Sequence, residues 1–162
     1  MSITSLLEKS YRCRPGRFER EKVEPELILQ LLETAVWAPN DGLREPWRFL
    51  FMTGEQRREA LPLHREAPAH LVVIADAVGD AHKQEEDLAA VFCLIQNMRL
   101  LGLEHNIGML ICMDDWIHDS PLRQRLGIRD HERIAAILDI GYTEIGDTAK
   151  EIQTSSLRIS EC

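Results

Sequence analysis

The sequence predicts an α+β domain with helices packed about one sheet. Three observations carry that expectation. Four short runs rich in branched and apolar residues stand at 48–52, 71–76, 109–113 and 134–141, each bounded by turn residues in the manner of buried strands. Apolar stripes at helical spacing lie between them. The chain has 162 residues, of which 44% are hydrophobic, enough for one domain with an ordinary core. We therefore read 1–162 as a single domain with a polar tail from 143.

Composition removes several classes of function. A net charge of -8 argues against nucleic-acid binding, which favours a basic face. The apolar runs are too short to span a bilayer. Met1 to Ser5 show no basic segment followed by an apolar run, so no secretory signal is expected and the protein reads as cytoplasmic. Cys13, Cys93, Cys112 and Cys162 are scattered without the clustering a zinc site needs, so no metal is expected. Reduced thiols follow, with Cys93 and Cys112 read as small core residues. His64 and His70 read as structural or solvated.

The elements follow in order. Residues 3–10 form a short helix with Ile3, Leu6 and Leu7 on one face. Ser10 to Phe18 then hold Arg12, Arg14 and Arg17 beside a Pro-Gly turn. This is either a solvated basic loop or an anion cradle, since guanidinium forks suit phosphate. Residues 24–37 form a helix with Pro25 at its first position and Leu27, Ile28, Leu31, Leu32, Ala35 and Val36 as its core stripe. Regular structure stops between Trp37 and Trp47, where Pro39, Gly42 and Pro46 intervene. Such a loop from helix to strand is a natural binding site. Strand 48–52 leads to a capping box at Thr53-Gly54-Glu55-Gln56, and a second strand covers 71–76.

Residues 78–86 are polar and read as a loop. The longest helix runs from Asp87 to His105, with Leu88, Val91, Phe92, Ile95, Met98 and Leu101 as inward candidates. Its apolar breadth implies burial in the core or against a partner. Met109 to Met113 form a strand, and Ser120-Pro121 opens a short helix ended by Gly127. The last strand ends at Ile140-Gly141-Tyr142. There is no internal repeat or low-complexity tract.

The segment Ala38-Pro39-Asn40-x-x-Leu43-x-Glu45-Pro46-Trp47-Arg48-Phe49 resembles the A-P-N-x-x-L-x-E-P-W-R-F motif of one branch of the nitroreductase family, FMN-dependent NAD(P)H oxidoreductases. Asn97-Met98-x-Leu100 followed by Ile107-Gly108 resembles the family's N-M-x-L-x-A-x-x-x-G-x-G run, with Asn106 where the first glycine is usual. The family's phosphate-binding R-R-S-x-R-x-F corresponds to the arginine segment in one of two registers. Aligning Phe18 and Val23 puts Arg12, Cys13 and Arg14 at R-R-S, whereas aligning Ser10 puts Arg12 at the last arginine with a four-residue insertion. Asp41 stands where the branch often has histidine.

The resemblance implies the nitroreductase fold: a mainly antiparallel sheet, flanking helices and an intertwined homodimer with two FMN sites at its interface. It covers the chain from about residue 3 to 142. Carried over residue by residue, it makes Ser10, Arg12, Arg14, Asn40, Leu43, Trp47, Gly108, Met109 and Leu110 the cofactor-binding candidates, with Lys150 or Arg158 in the tail as a further phosphate contact. The family passes hydride from NAD(P)H through FMN to a second substrate, a nitroaromatic, quinone or similar small acceptor, in a ping-pong cycle. No catalytic side chain is then required, and the chain holds no convincing triad, no G-x-x-x-x-G-K loop and no G-x-G-x-x-G. No 2′-phosphate pocket is legible, so NADH and NADPH both stand. Two other classes remain open: a flavin-binding protein without turnover, and a flavin-free dimer of the same fold.

Overall fold

The computed structural model describes residues 2–12, 18–53 and 67–143, with the backbone alone at 11 and 12. The capping box at 53–56 continues beyond Thr53 into residues outside this description. The described chain contains helices α1 (Ile3–Arg12), α2 (Pro25–Ala35), α3 (Ala81–Gly102) and α4 (Ser120–Arg125) and strands β1 (Trp47–Thr53), β2 (Ala69–Asp76), β3 (Ile107–Cys112) and β4 (Glu132–Tyr142). All four expected strands are present. They form one sheet in the order β1-β2-β4-β3, and every pairing among them is antiparallel.

Alternation along each strand divides the side chains between two faces. Leu71, Val73, Leu138 and Ile140 join Ile28, Leu31, Val91, Leu94, Ile95 and Met98 in the larger core, which α2 and α3 cover. Val72, Ile74, Ile134 and Ile137 join Leu122 and Leu126 of the α4 region in a smaller core on the opposite face. The β2–β4 register shifts between Val73 and Ile74, which pair with Ala136 and Ile134. The extra residue, Ala135, is a β-bulge in the central strand pair.

One boundary and one burial differ from expectation. Residues 81–86 are the first turns of α3, not a loop. Their polarity conceals the helix from a periodicity reading, but local bonds create it. The Asp80 side chain accepts the Lys83 N–H as an N-cap, and Lys83 Nζ lies 2.8 Å from Asp87 Oδ2 one turn later. Cys93 is exposed, whereas Cys112 is buried as expected. The buried stripe of α3 runs through Asp87, Ala90, Val91, Leu94, Ile95, Met98 and Gly102, which turns Cys93 outward.

Long-range polar links cross the fold. His70 and Asp139, register partners on β2 and β4, are fully buried with Nδ1 and Oδ1 2.8 Å apart, so His70 is structural. Asn97 Nδ2 donates to the Ala35 carbonyl at 3.2 Å, serving the C-terminal end of α2. Arg48 forks onto Glu132: Nε donates to Oε1 at 2.9 Å and Nη2 to Oε2 at 2.6 Å. The Arg129 N–H also donates to Glu132 Oε2.

The Arg48 bond holds the Glu132 carboxyl down to about 2 from an ordinary 4.5. A depressed carboxyl stabilises the fold fully above its unfolded value, and the contribution disappears as pH falls through its folded value. Arg48→Ala leaves a buried carboxylate without its fork and should cost about 3 kcal/mol near neutrality. Urea unfolding of the two proteins should show that gap at pH 7 and a progressive narrowing between pH 4.5 and about 2.

Candidate functional site

The site candidates fall into two groups, set by how the chain enters the sheet. The first is the α2–β1 connection. Asn40 ties this loop to itself: Nδ2 donates to the Ala38 carbonyl at 3.2 Å, and Oδ1 accepts the Glu45 N–H at 3.0 Å. The loop needs such ties because Gly42, Leu43 and Glu45 all have φ near +50 to +60°. Glycine takes that conformation freely, whereas each L side chain there costs about 1–2 kcal/mol. The result is an exposed leucine on a braced turn: Leu43 is 83% exposed, and Trp37 at the other end of the loop is 85% exposed. Trp47 instead packs half-buried against the larger core, where it begins β1.

The second group surrounds the turn from α3 into β3. Asn106 takes the left-handed conformation there, with φ 56°, in the place where glycine was expected. Asparagine tolerates it better than other side chains. Gly108 is buried and pairs with Gly141. The Met109 side chain is only 4% exposed and belongs to the core, so its backbone alone can face a ligand. Leu110 is half-buried. Helix α1 packs against α3 and the 103–105 turn, with Ser10 buried and Arg12 at its last position. Beyond the arginine segment the chain returns to the same corner: the Glu19 N–H donates to the Tyr142 carbonyl at 2.9 Å. Phe18 lies so close to Gly141 that an added Cβ would sit 2.7 Å from its ring. Arg14, Lys150 and Arg158 lie outside the described residues.

These groups occupy opposite corners of the sheet. β1 and β3 are its two outer strands among those described. Trp47 is level with Ala75, whereas Met109 is level, through Ile140, with Ala69. At about 4.8 Å between strands and about 3.3 Å per residue along them, the corners lie roughly 25 Å apart. Within one chain the groups do not meet.

An ion cluster beside the loop escaped the sequence reading. Asp87 on α3 is 3% exposed and lies 3.3 Å from Arg44 and 2.8 Å from Lys83. Arg44 also reaches Asp41 at 2.9 Å. The Lys83–Asp87 spacing of four was visible in the sequence, but the link to Arg44 spans 43 residues. Among the described residues no group of His, Cys, Asp or Glu is arranged to hold a metal ion, and no helix is long and apolar enough to cross a membrane.

The fold agrees with the comparisons. The nitroreductase family pattern matches residues 11–71. YfhC of Bacillus subtilis (strain 168), which carries the provisional name of an NAD(P)H nitroreductase, is 32% identical, with 92% of this chain and 89% of that protein aligned. The chain therefore belongs to the nitroreductase family, a class of oxidoreductases. Among solved structures, a nitroreductase-like family protein from Bacillus cereus superposes with a TM-score of 0.78 at 27% identity, covering 89% of this chain and 88% of that one. A variant of NfnB from sphigopyxis sp. strain HMH, named an FMN and NADPH-dependent nitroreductase, shares the fold with a TM-score of 0.73 at 17% identity, covering 89% of each chain.

Gly141 should tolerate no side chain while Phe18 is in place. Gly141→Ala should destabilise by about 1–3 kcal/mol through overpacking. In a Phe18→Ala background the same change should cost much less, because the ring it displaces is gone. A thermodynamic cycle by chemical denaturation measures that non-additivity.

Proposed function

We propose that the protein is an FMN-dependent NAD(P)H oxidoreductase of the A-P-N-x-x-L-x-E-P-W branch, reducing nitroaromatics, quinones or similar small acceptors by a ping-pong route. Family membership, resting on a relative 32% identical across nine-tenths of the chain, carries this reading. We propose further that the working unit is a homodimer. Its two sites would each join the 40–47 loop of one copy to the Arg12 and Gly108 corner of the other, because one copy holds these segments at opposite corners of its sheet. Exposed apolar side chains at Ile3, Leu7, Leu29 and Trp37 offer surface that a second copy would cover.

The residues present fit FMN in chemistry. An outer strand offers backbone donors and acceptors, which β3 would present around Gly108, Met109 and Leu110 to the polar edge of a flavin. The exposed Leu43 supplies an apolar contact for a planar ring. Ser10, Arg12 and Arg14, with Lys150 or Arg158 from the tail, would hold the phosphate, and Asn40 and Trp47 would shape the loop. When bound, FMN supplies the hydride chemistry, so no side chain has to act as nucleophile or general base. The chain's own part is to bind, orient and exclude water.

Purified protein should be yellow and should oxidise NADH or NADPH with a quinone or nitroaromatic acceptor. Colour without turnover would favour the non-catalytic flavin protein, and absence of both the flavin-free dimer. Arg12→Ala should remove a charge-assisted bond worth roughly 1.5–3 kcal/mol, weakening FMN about ten- to a hundredfold. Riboflavin, without the phosphate, should bind both proteins alike, and Arg12→Lys should recover part of the FMN affinity.

Light scattering at micromolar concentration should report a dimer, with a buried interface above about 2,000 Å². A monomer under those conditions would defeat the shared-site arrangement.

A further inference from the structure

We infer that Asp87 is a positioning residue for the flavin site: through Arg44 it holds the 40–45 loop in the shape that presents Asn40 and Leu43. The inference rests on the reading that this loop forms part of an FMN site. Three observations support it. Residues 40–45 carry backbone conformations that side chains resist, at Leu43 and Glu45. The Asn40 bonds and the Asp41–Arg44 pair brace the loop only against its immediate neighbours. Among the described residues, the bond from Arg44 Nη2 to Asp87 Oδ1 is the one side-chain hydrogen bond that joins residues 40–45 to the body of the protein.

The other end of that bond is built to stay still. Asp87 is almost wholly buried, and Lys83 holds its second oxygen from the preceding turn. That part of α3 is fixed at several points. Asp80 caps it, Lys83 and Gln84 reach back to the carbonyls of Val78 and Gly79, and Arg133 of β4 donates to the Gln84 carbonyl at 2.6 Å. The loop is thus tied by one charge-assisted hydrogen bond to a buried carboxylate. Asp87 makes no hydrogen bond to the loop backbone among the described residues, and it reaches the loop through Arg44.

The test compares Asp87→Asn with Asp80→Ala. The first keeps the side-chain shape and loses the charge. The second weakens the same helix end by removing its cap and leaves Arg44 with its partner. Two readouts are needed: hydrogen exchange of the Glu45 amide in the apoprotein, and the FMN dissociation constant from quenching of flavin fluorescence. Asp87→Asn should raise the exchange rate and weaken FMN, each by roughly five- to tenfold. Asp80→Ala should lower thermal stability while moving both readouts far less than Asp87→Asn does. Arg44→Gln, at a side chain more than a third exposed, should reproduce the Asp87→Asn result if that variant folds poorly. The double variant should add nothing to either single change, and Asp87→Glu should restore part of both readouts. Wild-type exchange at Glu45 in Asp87→Asn, or in Arg44→Gln if that variant must replace it, would overturn the tether. Faster exchange with unchanged FMN affinity would overturn the positioning role. A wild-type protein that takes up no FMN would remove the flavin reading itself, and the positioning role with it.

Discussion

Burial of the central strands on both faces is the constraint from which the rest of the arrangement follows. Ala69 to Ala75 on β2 and Ile134 to Ile140 on β4 are buried at every position. A strand in that situation has no side chain to spare for a ligand. Its polar members must find partners inside the sheet, and His70 and Asp139 do so directly across the ladder. Binding capacity is therefore displaced to the outer strands, the strand ends and the loops. Asn40, Leu43, Trp47, Gly108 and Leu110 fall there, Ser10 and Arg12 lie on α1, and the Met109 side chain is packed in the core.

The antiparallel order β1-β2-β4-β3 then sets the distance between the candidates. The α2–β1 loop enters at one end of one outer strand. The turn after α3 enters the other outer strand at the opposite end. No adjustment of side chains brings those corners together, because both are pinned by ladders to the same central pair. On the proposed reading, the separation makes a second copy part of each site.

The loop itself shows a different balance of forces. Pro39 and Pro46 keep the chain out of helical geometry before each of them. Gly42 permits one left-handed residue, but Leu43 and Glu45 adopt the same region at a cost. That cost is opposed by short-range bonds from Asn40 and by the ion pair to Asp87. A loop balanced in this way holds an apolar side chain out in water without collapsing onto the core.

Much of this was legible in the sequence. The branched apolar runs determined four strands, the helical stripe beginning after Glu24 determined α2, and the prolines and glycine between Trp37 and Trp47 determined where regular structure stops. Each depends on residues within a few positions of one another, the range over which propensity and periodicity act. The start of α3 was hidden because a polar turn has no apolar stripe, although its cap at Asp80 and the Lys83–Asp87 spacing were present. Only the tertiary structure decided that Cys93 faces outward, that Arg48 meets Glu132, that His70 meets Asp139, and that Asp87 receives the loop's arginine. Those polar pairs join residues 43 to 84 positions apart. Such pairs arise from strand order and helix rotation, which are settled by how the apolar faces pack together and leave no mark at either residue alone.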